Sequence, residues 1–152
     1  MQHVTPASHP TARATSADVG FLLAKAATRW NELLESAFAT RGFPEVRASY
    51  GSVLLPLFAE DGLRMGELTA AARQPKQTTT TLVRQLERDG LVRRMRDEHD
   101  ARIWRIWLTQ RAAALRTVAE DVLGDMDARL AEHLSRRSLD ALKQTLRAVM
   151  DL

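Results

Sequence analysis

No cysteine occurs in the 152 residues, which excludes a disulfide scaffold, a cysteine-ligated zinc site, thiol catalysis and thiol-based redox sensing. Long apolar runs are missing as well. The longest uncharged apolar stretch, Ala48 to Ala59, contains Pro56 and is twelve residues long, short of the roughly 17–25 needed to span a bilayer. No membrane partner is expected. An apolar signal-peptide core is also lacking, so a cytoplasmic protein is expected. The chain has no Gly-rich phosphate loop and no Ser/His/Asp arrangement, and His3, His9 and His133 are scattered without metal-ligand spacing. Neither a metal nor an organic cofactor is called for.

What remains is the composition of an ordinary soluble globular protein, with 45% hydrophobic and 27% charged residues. A chain of this length makes one domain that buries about 68–70% of its unfolded surface without staples. The net charge is only +3, but it is unevenly placed. Between Arg73 and Arg105 nine basic side chains face five acidic ones, a local excess of +4, while the rest of the chain carries −1. A basic block in an otherwise neutral protein is the footprint of a phosphate-binding surface. A solvated charged face is the plain alternative.

Residues 1–17 are rich in Thr, Ser, Ala and Pro without apolar periodicity and read as a flexible tail. From about Asp18 apolar residues recur at steps of three and four as far as Phe38, a long amphipathic helix ended near Gly42. A second helix is expected from about Glu45 to Glu60, with Pro56 kinking it or shifting its end. Asp61-Gly62 marks a turn. A short helix from about Gly66 to Ala72 is followed by Pro75 and another from Lys76 to Asp89, closed by Gly90. The β-prone runs Leu91–Arg96 and Arg102–Leu108 then flank the polar segment Asp97–Ala101, a hairpin pattern. Thr109 caps a helix of roughly 36 Å, and Ser135 caps a last one with Leu139, Leu142, Leu146, Val149 and Met150 on one face.

This order predicts a mainly α fold with a small β-hairpin wing: a winged helix-turn-helix over residues 45–109, flanked by dimerisation helices at 18–44 and 110–152. The outer apolar stripes are longer than one small winged domain can bury, which points to a homodimer. An intramolecular bundle is the other way to cover them.

Stepping 100° per residue from Thr79 places Leu82, Val83 and Leu86 on one inward face. Gln77, Thr81, Arg84 and Arg88 then point outward, with Lys76, Thr78 and Thr80 near the helix start. Gln pairs with adenine, Arg with guanine, and Thr offers a hydroxyl and a methyl. Gln77, Thr78, Thr81 and Arg84 are therefore assigned to base edges, and Lys76, Thr80 and Arg88 to phosphates. Trp104 and Trp107 fall on opposite faces of their strand, so one layer cannot bury both.

In sequence, Leu68-Thr69-Ala70, Pro75-Lys76-Gln77-Thr78, Leu86-Glu87-Arg88-Asp89-Gly90-Leu91-Val92-Arg93-Arg94, the Asp97–Arg102 segment (D-x-x-D-x-R) and Leu108-Thr109 resemble the MarR (multiple-antibiotic-resistance regulator) family over about residues 45–112. The resemblance implies a homodimeric winged helix-turn-helix transcriptional regulator, usually a repressor, on pseudo-palindromic operator DNA. It puts the second helix of the motif in the major groove and the wing in the minor groove. The family's two wing arginines correspond here to His99 and Arg102. A neutral imidazole brings no charge to the narrow groove, and Arg102 can equally hold Asp97 or Asp100 and stiffen the wing. The Leu-Thr pair departs from the family in running straight into Gln110-Arg111-Ala112 without the usual acidic residue and glycine.

The resemblance also implies a small aromatic or phenolic effector between the dimerisation helices and the DNA-binding lobe. Trp30, Tyr50 and Arg47 are the candidates, the last for an anionic group; ordinary packing is the alternative for each. The peroxide-sensing branch is excluded for want of a cysteine. Two rival classes remain. Asp97, Glu98, His99 and Asp100 bring carboxylates beside an imidazole, as a small helical enzyme needs, but a hairpin tip offers no desolvated pocket. A DNA-independent interaction module on the same fold leaves the outward Gln77, Thr81, Arg84 and Arg88 without a purpose.

Overall fold

The computed structural model describes residues 18–152, so the expected tail at 1–17 lies outside the described residues. Helix α1 (Val19–Thr40) starts where the Asp18 carboxylate accepts the Phe21 N–H at 3.2 Å. Leu34 and Phe38 on its second half are buried, whereas Val19, Phe21 and Leu22 on its first half are bare.

The second helix begins later than its apolar spacing suggests. Arg47 is extended, Ala48–Tyr50 form a single 3₁₀ turn, and α2 runs Gly51–Ala59 straight through Pro56. Side chains from elsewhere hold the preceding segment out of the helix. The Glu35 carboxylate of α1 accepts the Ala48 N–H at 2.9 Å, and Glu45 is engaged by Arg111. That hydrogen bond holds the Glu45 carboxyl below its usual range.

Strand β1 (Leu63–Arg64), α3 (Met65–Ala72), α4 (Lys76–Arg88), β2 (Val92–Arg96) and β3 (Trp104–Leu108) form the central lobe. Strand β3 is the middle of a three-stranded antiparallel sheet in the order β1-β3-β2. The hairpin of β2 and β3 is as its alternation predicts. The two-residue β1 was not foreseen, because two residues carry no period. Helix α4 ends as expected, with Gly90 at φ +74° and the Leu91 N–H reaching back to the Leu86 carbonyl at 2.9 Å.

Leu57, Leu68, Leu82, Val83, Leu86, Leu91 and Ile106 are buried together beneath α4 and the sheet. Each such side chain contributes about 1.5–3 kcal/mol of burial, and together they fix which face of α4 looks outward. Thr109 caps α5 (Gln110–Leu134), accepting the Ala112 N–H and donating to the Gly90 carbonyl at 2.6 Å. Helix α5 packs along α1 and carries α6 (Arg136–Met150), which Ser135 caps. Among the described residues only Leu139 of α6 is buried; Leu142, Leu146, Val149 and Met150 are at least partly exposed. Among the described residues no helix is long and apolar enough to cross a membrane.

Candidate nucleic-acid interface

Helix α4 divides into the two faces its sequence dictates. Thr79, Leu82, Val83 and Leu86 are buried, and Lys76, Gln77, Thr78, Thr81, Arg84 and Arg88 are exposed, with Thr80 half-buried at the edge. Among the described residues Lys76, Arg84 and Arg88 make no ion pair, so their charge is directed at solvent. The hydroxyls of Thr80 and Thr81 donate to the carbonyls of Lys76 and Gln77 at 2.8 and 3.0 Å. Such back-bonding is what threonine does within a helix, and it keeps four successive threonines compatible with one.

The wing is ordered by its own carboxylates. Asp97 Oδ1 accepts the N–H groups of His99 and Asp100 at 2.9 and 3.1 Å, and Oδ2 accepts from Arg105. Arg105 also donates to the Gly62 carbonyl at 2.8 Å, tying the wing to the loop before β1. In the sequence Arg105 is only part of the basic block, and nothing in its spacing announces this bracing role. Arg102 forks over Asp100 with both contacts at 3.1 Å, and its side chain is 91% exposed. Of its two possible acidic partners it takes Asp100. His99 is exposed at the tip. The carboxylates that an acid-base site would use at Asp97 and Asp100 are thus engaged by guanidinium groups and backbone amides. Among the described residues no cluster of three or more His, Asp or Glu side chains is arranged to hold a metal.

Arg105 and the two amides hold the Asp97 carboxyl at about 2, against an ordinary 3.8. A lowered carboxyl favours the folded wing fully above pH 3.8, and this contribution fades as pH falls through 2. An NMR titration of the Asp97 carboxyl is expected to have its midpoint near 2, with the His99 and Asp100 amide signals moving in step. A midpoint close to 3.8 contradicts the assigned bracing.

Trp104 and Trp107 do lie on opposite faces. Trp107 sits against Gly62. Trp104 is exposed, with the Arg96 guanidinium 3.9 Å and the Arg94 guanidinium 5.8 Å from its ring centroid.

The three candidate effector residues are not brought together. Trp30 lines a cavity of about 330 Å³ between α1 and α5, with Leu33, Met126, Arg129, Leu130, His133 and Leu134. Arg47 faces Glu35 at 4.0 Å and does not line that cavity. The Tyr50 hydroxyl donates to Asp89, the residue closing α4, at 2.6 Å. Burial pushes the Tyr50 phenol up to about 12, and the Asp89 carboxylate adds to the shift. Its hydrogen bond therefore links the turn after α1 to the end of the outward-facing helix.

Two helices joined by a short connection and followed by a braced β-hairpin define a winged helix-turn-helix protein. Residues 53–103 match the model of the MarR family. No curated protein matches the chain. Among solved structures, the transcriptional repressor CouR bound to a 23-mer DNA duplex is 26% identical at a TM-score of 0.76, over 89% of this chain and 94% of that one. The Staphylococcus aureus MepR–DNA complex is 21% identical at 0.74, over 88% and 96%. PcaV from Streptomyces coelicolor, in complex with its natural ligand, is 22% identical at 0.73, over 99% and 98%. Over residues 53–103 the chain thus resembles the MarR family, and its fold is that of solved MarR transcriptional regulators.

Proposed function

We propose that this protein is a homodimeric, sequence-specific DNA-binding transcriptional regulator of the cytoplasm, a repressor released by a small aromatic or phenolic effector. The observation that carries the reading is the outward face of α4, where Lys76, Gln77, Thr78, Thr81, Arg84 and Arg88 are exposed and the three cations have no acidic partner among the described residues. The core beneath α4 leaves these residues no structural task. Phosphate attraction by Lys76 and Arg88, with Gln77, Thr78, Thr81 and Arg84 at base edges, accounts for both the charge and the polarity. In this reading α4 enters the major groove and the wing, with His99 and Arg102, enters the adjacent minor groove.

Residues 18–44 and 110–152 serve as dimerisation helices, supported by the bare apolar faces of α1 and α6. The effector reading rests on the cavity at Trp30, where Arg129 and His133 suit an anionic aromatic molecule. The DNA-bound CouR and MepR structures and the ligand-bound PcaV are in keeping with these assignments.

Binding to duplexes from the chain's own upstream region, followed by anisotropy against salt, tests the proposal. Log affinity is expected to fall by about 0.9 for each phosphate contact per decade of salt. Arg84→Ala is expected to cost about 1–3 kcal/mol on the operator and to relax discrimination at one base position. Equal losses on operator and random duplex reassign Arg84 to the backbone, and salt-independent or absent binding overturns the reading.

A further inference from the structure

Between α4 and the wing lies an open groove of about 590 Å³, and Trp104 forms part of its wall. The strand register explains how this ring gets there. Val92 pairs with Leu108, Arg94 with Ile106 and Arg96 with Trp104, so all six share the face that looks toward the helices. Near the base of the hairpin that face is core. At Trp104 the helices have ended, and the same face opens on the groove. Opposite Trp104 stand Lys76 and Thr80 of α4, and the groove is completed by Arg64, Arg94 and Arg102. Its one carboxylate, Glu67, already accepts the Arg64 N–H at 2.8 Å. Arg94 and Arg102 have partners in Glu87 and Asp100, whereas Arg64 and Lys76 form no ion pair among the described residues.

We propose that this groove seats one strand of the sugar–phosphate backbone of bound DNA, with Trp104 packed on deoxyribose and Arg64 and Lys76 on phosphates. The inference rests on the DNA-binding reading above and adds to it Trp104 and Arg64, neither of which was assigned to DNA from the sequence. A major groove and its neighbouring minor groove are separated by one backbone strand. A helix placed in the first and a wing in the second must therefore straddle that strand, and the groove between α4 and the wing is the space it has to occupy. The lining suits it: a cation excess for phosphates and a rigid aromatic face for the apolar side of the sugar. The indole is stacked by Arg96 yet stays 39% exposed where it lines the groove, so it keeps apolar surface to offer a ligand. Backbone contacts carry no sequence information, so the groove sets affinity and register while the outward face of α4 sets choice of sequence.

The experiment uses the full chain, an operator duplex and a random duplex. Trp104→Phe is expected to keep most of the affinity while losing most of the DNA-induced change in tryptophan fluorescence. Trp104→Ala is expected to weaken binding to both duplexes about equally, by about 5–100-fold if sugar packing resembles base stacking in strength. Arg64→Gln is expected to lower the salt slope by about 0.9 on both duplexes. Thermal unfolding of each variant checks that the fold is kept, as the exposure of both side chains leads one to expect. If the wild type binds operator DNA and Arg84→Ala relaxes its specificity, but the Trp104 and Arg64 variants match the wild type in affinity, fluorescence response and salt slope, the groove is empty in the complex and this inference alone fails. A wild type that binds neither duplex overturns both readings.

Discussion

Leu142→Glu combined with Leu146→Glu is expected to give a monomer at micromolar concentration and to weaken operator binding by about 10²–10⁴-fold, the usual gain from linking two sites. Both leucines are partly exposed on α6, in a stripe with Val149 and Met150, and the described residues leave all four accessible. Contiguous apolar surface of this kind marks an interface. In the proposed dimer the partner covers it and fixes two copies of α4 at the spacing of successive half-sites, about 34 Å. Charges on the stripe remove that linkage without touching the DNA-facing residues. Leu139 stays buried and the Lys143–Asp127 ion pair still ties α6 to α5, so the monomer is expected to keep its fold. Sedimentation velocity and anisotropy read the two effects separately. A dimer that survives both substitutions places the interface elsewhere.

Gly62→Ala is expected to destabilise the protein by about 2–5 kcal/mol, combining about 1–2 for a side chain in the left-handed region with about 1–3 for overpacking. Gly62 is at φ +72°, and a Cβ there meets the far edge of the Trp107 indole at 2.5 Å. The ring is stiff and half-buried, so the backbone has to give as well. That backbone is doubly held: Asp61 accepts the N–H groups of Gly62 and Leu108, and the Gly62 carbonyl accepts from Arg105. Displacement thus reaches the wing, and DNA affinity is expected to fall along with the midpoint of denaturant unfolding. An unfolding midpoint equal to that of the wild type shows that the loop yields freely.

Helices with one apolar face were readable from the sequence because burial imposes the 3.6-residue period directly. The division of α4 into Thr79, Leu82, Val83 and Leu86 inside and Gln77, Thr81, Arg84 and Arg88 outside follows from that period alone. The hairpin was readable by the same logic at period two. What escaped depends on partners distant in sequence. Residues 45–47 look helical, yet Glu35 and Arg111 hold that segment from other helices. Strand β1 exists only because β3 passes beside it. Arg47 and Tyr50 look available for a ligand, yet each faces an acidic group that local spacing does not reveal. Trp104 was recognised as a residue one layer could not bury together with Trp107, but what it faces depends on where the helices stop.

The threonine hydroxyls of α4 narrow what this helix can distinguish. With its proton given to the Gln77 carbonyl, Thr81 has only lone pairs left to offer. It can take a hydrogen from the exocyclic amine of adenine or cytosine, and it has none to give to guanine O6, thymine O4 or a phosphate oxygen. Thr80 is bonded in the same way to Lys76, so in the proposed complex its methyl group is what it turns to a neighbouring phosphate. In the proposed complex this arrangement favours an operator with an amine-bearing base opposite Thr81, with guanine contacts left to Arg84.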